Sequence, residues 1–389
     1  MSKTNLAVCL VFVAFFCLSP AWGQETPKIN WRAVEIDKIQ IGYGLQMADV
    51  DGDKKTDIVL ADKKTIQWYQ SPDWTKHVIA SNLTKRDNVC VTARDIDGDG
   101  KCEIAVGGQW NYRESRKDGA VFYLEAPEDR TQPWKPIKLY NDPSTHRMHW
   151  VKAKNGFRLV VKPLRGRGSE HGDGPGLRLI EYSRPENPAD DWEFSVISEI
   201  MHLSHNFHPV NWDDDAEEEL IVAGKEGVWH FDNMGDKWTA TQLTESFAGE
   251  IRDGKLPNGK RFIVTIEPMH GQKSAVYTEP DKKGEKWELN KVLSETLKDG
   301  HAIAVADFLG VGSDQIVVGW RAMNDPGVPG IKFFAPLDAD GTKWHENQIS
   351  AEKVAVEDLK AADLNGDGKV DIVAAARQTK NLTIFFNER

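Results

Sequence analysis

The chain has 389 residues, 60 acidic against 49 basic side chains, and a formal net charge of −11. That balance, with no basic tract interleaved with aromatics, argues against nucleic acid as a partner. Four cysteines, two of them at positions 9 and 17 near the N-terminus, exclude a disulfide-built scaffold and leave only Cys90 and Cys102 beyond the leader.

Residues 1–23 read as an export signal: Lys3, an apolar run from Leu6 to Leu18, then Ala21-Trp22-Gly23 as a small-x-small cleavage site. The run is shorter than the ~20 residues a membrane span needs. The expectation is a secreted or periplasmic protein without membrane attachment after signal removal, with 24–389 as one domain.

Seven tryptophans, Trp31, Trp74, Trp134, Trp192, Trp238, Trp287 and Trp344, each open a short strand-like segment, such as Trp31-Arg-Ala-Val-Glu-Ile36. Their spacing of roughly 43 to 60 residues is that of a four-stranded propeller blade with variable loops. A second marker keeps step: an apolar strand running into an acidic turn, clearest at Ala48-Asp-Val-Asp-Gly-Asp53, Arg94-Asp-Ile-Asp-Gly-Asp99 and Ala362-Asp-Leu-Asn-Gly-Asp367, with weaker copies near Asn211 and Asp307 and shortened turns at Asn155-Gly156 and Asn258-Gly259. No stretch sustains a 3.6-residue apolar period. The sequence therefore predicts an all-β, seven-bladed β-propeller with four-stranded blades. Because the chain starts with an outermost Trp strand and ends on the third-strand segment Asn381–Phe386, the first strand is expected to pair with the last blade and close the ring.

In the acidic turns, hard oxygen ligands alternate: Asp49, Asp51, Asp53 and Asp57; Asp95, Asp97, Asp99 and Glu103; Asp363, Asn365, Asp367 and Asp371. With Gly52, Gly98 or Gly366 at the bend, this copies the first half of an EF-hand loop and predicts structural calcium. Asn211, Asp213, Asp215 and Glu219 form a weaker fourth copy. These turns resemble the FG-GAP/VCBS repeats of integrin-type propellers over essentially the whole mature chain. The resemblance implies the fold and leaves activity open.

If the acidic turns lie on one face, the innermost strands begin on the other, together with the loops between second and third strands. Six residues before the first turn position stand Tyr43, Val89, His205, His301 and Glu357, and matching the pair His146/His149 to His205/His208 adds His146. Three of the chain's 11 histidines and a glutamate thus share one ring of positions. His149 and His208, three residues further on, are expected between blades. The loops of the same face bring Arg113, Arg116 and Lys117, Lys162, Arg165, Arg167 and His171, Lys225, Glu267 and His270, and Arg321, which predicts a locally cationic rim.

Imidazole, guanidinium and carboxyl around a pocket supply a base, a cation for an enolate and an acid for a leaving oxygen. Proton abstraction beside a carbonyl followed by β-elimination fits them without an organic cofactor. Several neutral imidazoles with Glu357 can alternatively hold zinc or manganese. The segments Ser204-His-Asn-Phe-His208, Ile266-Glu-Pro-Met-His-Gly271 and Leu297-Lys-Asp-Gly-His-Ala302 are similar to the propeller domain of fungal aldos-2-ulose dehydratases. That similarity implies a carbon–oxygen hydro-lyase acting on a small oxidised sugar. It implies His205 or His301 as base, His146 with Glu357 as metal ligands or orienting groups, Arg165, Arg167 and Arg321 on substrate oxygens, and His270 with Glu267 near the leaving group. Tyr43 and Arg113 are expected as further substrate contacts. The fungal enzymes carry cupin domains after the propeller, whereas this sequence ends at Arg389, so a first elimination alone or another keto-sugar or keto-glycoside is expected. The rivals are a polysaccharide or oligouronide lyase and a non-catalytic integrin-like binding module. A closed ring has no edge that must pair, so a monomer or weak dimer is expected.

Overall fold

In five of the seven repeats the second strand is an unbroken short run with no exposed face: in Asp57–Ala61, Glu103–Gly108, Glu219–Gly224, Gln315–Trp320 and Asp371–Ala376 every residue is buried. A strand buried on both sides needs a sheet covered on both faces. A ring of radial sheets provides that cover.

The computed structural model describes residues 29–213, 215–235, 237–322 and 327–389; the expected export signal lies outside them. The described residues form 28 strands in seven four-stranded antiparallel sheets. Six sheets take their strands in simple chain order. The seventh adds Trp31–Lys38 to Asn381–Asn387, with Trp31 opposite Asn387 and Lys38 opposite Asn381. The predicted closure is therefore present, and it covers a backbone edge at each end of the chain.

Seven apolar clusters fill the seven seams between neighbouring blades, and each holds one tryptophan of the repeat. Trp134 and Trp287 are buried members, while Trp31, Trp74, Trp192, Trp238 and Trp344 pack against the other five clusters partly buried. The tryptophan period is thus the period of the seams. In the last seam, Trp31 meets Phe308 and Phe333 edge-on, with ring centroids 6.0 and 6.5 Å apart. Cys90 and Cys102 are free and buried.

The acidic turns join innermost to second strands, as predicted. Gly52, Gly98 and Gly366 hold φ of +87°, +84° and +74°, the left-handed region that glycine enters without cost. One departure concerns Asp57, Glu103 and Asp371, expected as calcium ligands. Each begins a second strand and turns inward: Asp57 accepts the amides of Val50 and Ser71, Glu103 that of Ile96, and Asp371 those of Leu364 and Asn387. They brace the turn from within and do not extend the loop's carboxylate cluster.

Replacing Trp31 by alanine should remove one aromatic from the closing seam. Full burial of a large aromatic is worth ~3–5 kcal/mol, so a partly buried one should cost about 2–3 kcal/mol, read as a lower urea midpoint at unchanged m-value.

Candidate active site at the hub

The innermost strands Gly44–Ala48, Cys90–Arg94, Thr145–Ala153, Ser204–Val210, Glu250–Lys255, Gly300–Ala306 and Val356–Ala362 stand around the axis. In four of them the ladder skips one residue: between Thr145 and Arg147, Ser204 and Asn206, Gly300 and Ala302, and Val356 and Asp358. The extra residues are His146, His205, His301 and Glu357. A β-bulge leaves its extra residue out of the ladder and re-aims the side chain. Here it turns the four predicted residues into one cavity of about 660 Å3 at the opposite end of the strands from the acidic turns.

The imidazoles touch. Ring centroids lie 4.7 Å apart for His146 and His205, 4.9 Å for His205 and His301, 4.3 Å for His205 and His270, and 4.6 Å for His270 and His301. Hydrogen-bond partners assign the tautomers. His205 Nδ1 donates to Glu250 Oε1 at 2.6 Å, which leaves its Nε2 as the acceptor for His270 Nε2 at 2.8 Å. His270 Nδ1 then accepts from Arg321 Nη2 at 3.3 Å. Separately, His301 Nδ1 donates to the Glu357 carbonyl at 2.5 Å, so its Nε2 keeps a free lone pair. Both ring nitrogens of His146, which is 5% exposed and stacked on Trp110 at 4.7 Å, lack a partner among the described residues.

Burial holds His146, His205, His270 and His301 well below the usual imidazole pKa, with neighbouring guanidiniums and imidazoles adding to the depression. All four are therefore neutral at pH 7. One nitrogen each from His205, His270 and His301 lies within 4.8 Å of the others, a ligand set of the kind that suits a zinc-like ion with an open position.

The arginines divide by partner. Arg321 is 4% exposed and tied to both oxygens of Asp299 at 3.1 and 2.9 Å and to Glu357 at 2.9 Å. Arg377 holds the other Glu357 oxygen at 2.9 Å and covers the Tyr43 ring. Arg165, 8% exposed, makes a hydrogen bond to the Tyr112 carbonyl, and its Nε has no partner. Among the described residues Arg165 is thus a buried cation without an anion, whereas Arg321 is already neutralised.

Of the predicted site residues, Tyr43, Arg113, His146, Arg165, His205, His270, His301, Arg321 and Glu357 line the cavity, as does His171. Two are placed elsewhere. Glu267 is buried at the end of its strand, taken up by the hydroxyls of Thr265 and Tyr277 at 2.8 Å and by Lys273 at 2.6 Å. Arg167 is exposed and reaches the Arg116 carbonyl and Asp142, outside the cavity. Glu357, expected as a metal ligand with His146, spends its carboxylate on Arg321 and Arg377, and the converging ligand atoms belong to His205, His270 and His301. His149 meets Phe207 of the next blade edge-on and His208 lies 3.9 Å from Asp253, both across seams as expected.

Unpredicted members are Glu250, Trp110, Tyr112, Arg147 and Arg377. Glu250 stands six residues before Leu256, which heads a shortened turn without an aspartate. Counting back from the turn itself reaches it. Arg147 and Arg377 have no such positional signal.

On the far face, the side-chain oxygens of Asp49, Asp51 and Asp53 converge within 4.8 Å of one another, as do those of Asp95, Asp97 and Asp99, and of Asp213, Asp215 and Glu219. Asp363, Asn365 and Asp367 repeat the amide pattern of the first two loops, with Gly366 and Gly368 donating to Asp363. These short oxygen-only sets suit calcium.

Residues 49–106 match the family model described as FG-GAP-like repeat. No curated protein sequence matches the chain. Among solved structures, the chain is similar to BBS1N, crystallised in complex with ARL6DN, at 14% identity and TM-score 0.56, over 92% of this chain and 97% of that one. It is similar to the β-propeller domain of Cps50 (Swd1) from Myceliophteria thermophila at 9% identity and TM-score 0.55, over 92% and 99%. A lectin from Agrocybe aegerita, described as recognising non-reducing terminal N-acetylglucosamine, matches at 12% identity and TM-score 0.50, over 83% and 81%. At these identities the likeness is one of fold. The protein is a seven-bladed β-propeller carrying an FG-GAP-like repeat.

A histidine held neutral by the fold binds its proton only on unfolding, so stability is complete above the unfolded pKa and declines as pH falls below about 6.5. For chelator-treated protein we expect a loss of about 1.4 kcal/mol per pH unit for each such imidazole between pH 6.5 and its folded pKa. His149, pushed down to about 3, and His230, pushed down to about 4, join the four hub histidines in this. Burial raises the carboxyls of Asp57, Glu103 and Glu219 to about 7, and their protonation in the folded state offsets part of this loss, so urea midpoints measured from pH 8 to pH 5 should fall below pH 6.5, but less steeply than the histidines alone would give.

Proposed function

We propose that the hub cavity is the active site of a hydro-lyase that eliminates water, or another β-substituent, from a small keto-sugar or keto-glycoside. The observation that carries this reading is the meeting, in one cavity, of neutral imidazoles with free lone pairs and a buried guanidinium with no counter-charge among the described residues. His301 Nε2 takes the proton next to the carbonyl. As that C–H bond breaks and its electrons form the new double bond, negative charge grows on the carbonyl oxygen, where Arg165 offsets it. The C–O bond to the leaving hydroxyl then breaks, and the departing oxygen takes the proton back from the His301 imidazolium, which completes water and returns His301 to its neutral form, with His270 beside the leaving group. Glu250 orients His205 and stabilises a positive charge arriving on it. Similarity of the Ser204–His208, Ile266–Gly271 and Leu297–Ala302 segments to the aldos-2-ulose dehydratases supports the same chemistry.

If zinc or manganese binds, His205, His270 and His301 would hold it, and the ion would act as a Lewis acid on the carbonyl. A cavity of about 660 Å3 suits one or two sugar rings and has the volume of a small-molecule site. The cationic lining, Arg113, Arg147, Arg165, Arg321 and Arg377 against Glu170 and Glu357, favours an anionic sugar and sustains a second reading, an oligouronide lyase.

Purified protein incubated with a panel of keto-sugars, keto-glycosides and oligouronides should generate the ultraviolet absorbance of an enone and a product lighter by one water. Scission into an unsaturated fragment would favour the second reading, and saturable binding without turnover across the panel would reduce the protein to a binding module. His301→Ala and His205→Ala should lower kcat/KM by roughly 10²–10⁴, the range for a general acid or base, with unchanged circular dichroism.

We assign a structural role to calcium in the acidic loops, in keeping with the export expected from residues 1–23. Removal with a chelator should lower the melting temperature, and calcium at a hundredfold excess over its Kd should restore about 2.7 kcal/mol per site. Calorimetry that finds magnesium equally effective, or no change at all, would refute the assignment.

A further inference from the structure

Beneath the histidines a second, much smaller hollow of about 20 Å3 lies on the axis. Arg147, His149, Arg252, Asp358 and Lys360 are among its walls. Three formal cations thus face one carboxylate, and that carboxylate is fully engaged. Asp358 Oδ2 accepts the Leu45 amide at 2.8 Å, while Oδ1 accepts the Leu359 amide at 2.8 Å and the Lys360 ammonium at 2.7 Å. Arg252 is 9% exposed and gives an N–H to the carbonyl of Ile251, and Arg147 gives to the carbonyls of Val89 and His146.

Other acids near the axis are committed as well. Glu250 is held by His205 and Asn206, and Asp253 sits beside His208. The adjoining His149 is pushed down to about 3, first by burial and then by Arg252 and Lys360, so it contributes no charge of its own at neutral pH. Buried ions are ordinarily matched by a counter-charge, because desolvation of an unmatched one costs several kcal/mol. Arg252, which is buried, and Arg147, which is partly buried, have no such match among the described side chains.

We propose that this hollow is a binding site for one small inorganic anion of the size of chloride, held on the axis by Arg147, Arg252 and Lys360. Its small volume suits a compact monatomic ion rather than a sugar. Such an ion would neutralise the excess charge at the centre of the ring. It would also fix Arg147, which lines the upper cavity too. The site stands on its own charges and does not rest on the sugar-lyase reading.

Full-length protein dialysed into gluconate and titrated with chloride or bromide should show a melting temperature that rises and saturates with halide. Sulfate at equal ionic strength should not reproduce the rise. Crystals grown in bromide should show an anomalous peak between Arg252 and Lys360. Arg252→Met should abolish the halide response while melting in gluconate no lower than the wild type, since an unmatched buried charge is gone; Lys360→Met tests the second cation in the same way. An axis without bromide, together with identical melting in chloride and gluconate, overturns the proposal. So does an Arg252→Met protein that is destabilised equally in both salts and still responds to halide. If neither variant folds, the bromide map of the wild type decides.

Discussion

The seven apolar seams are the constraint on which the rest of the molecule depends. Each blade is apolar on both faces and finds cover only between two others, so the sheets have to stand radially and the ring has to close. The pairing of Trp31–Lys38 with Asn381–Asn387 completes that closure, and the tryptophan in every seam keeps adjacent blades at a common spacing. Radial packing in turn forces seven strand beginnings to meet at one hub. Most polar side chains at the base of the hub are buried there and satisfy their polar atoms on one another.

That local satisfaction orders the site. Desolvation keeps the hub imidazoles neutral, and neutrality allows them to stand among guanidiniums without repulsion. The fixed donors then run one way, from Arg321 through His270 and His205 to Glu250. A second carboxylate, Glu357, draws Arg321 and Arg377 together and lends its carbonyl to His301. Arg165 and His146 remain outside this closed set. In a buried polar network the members without partners are where a ligand gains most, because binding satisfies groups the fold leaves open.

Much of this was legible in the amino-acid order. Blade number, ring closure, the face of the acidic turns and the convergence of His146, His205 and His301 follow from two periodic markers and a count of residues. What the count could not show is which side chains are already engaged. Glu267 stands in a loop-like motif beside His270, yet Thr265, Tyr277 and Lys273 take up its carboxylate. Arg167 lies two residues from Arg165 and faces away. Asp57, Glu103 and Asp371 occupy ligand spacing but accept backbone amides, because the first residue of a buried strand points into the turn.

The sequence alone therefore determined the architecture and the ring of positions from which the hub is built, since both are repeats along the chain and repeats survive without coordinates. Tertiary structure decided the ion pairing, the tautomers and the extra ladder residue that turns each histidine inward. Those depend on distances between groups such as His205 and Glu250, 45 residues apart. Such distances are set by how the seams pack, and no local pattern encodes them.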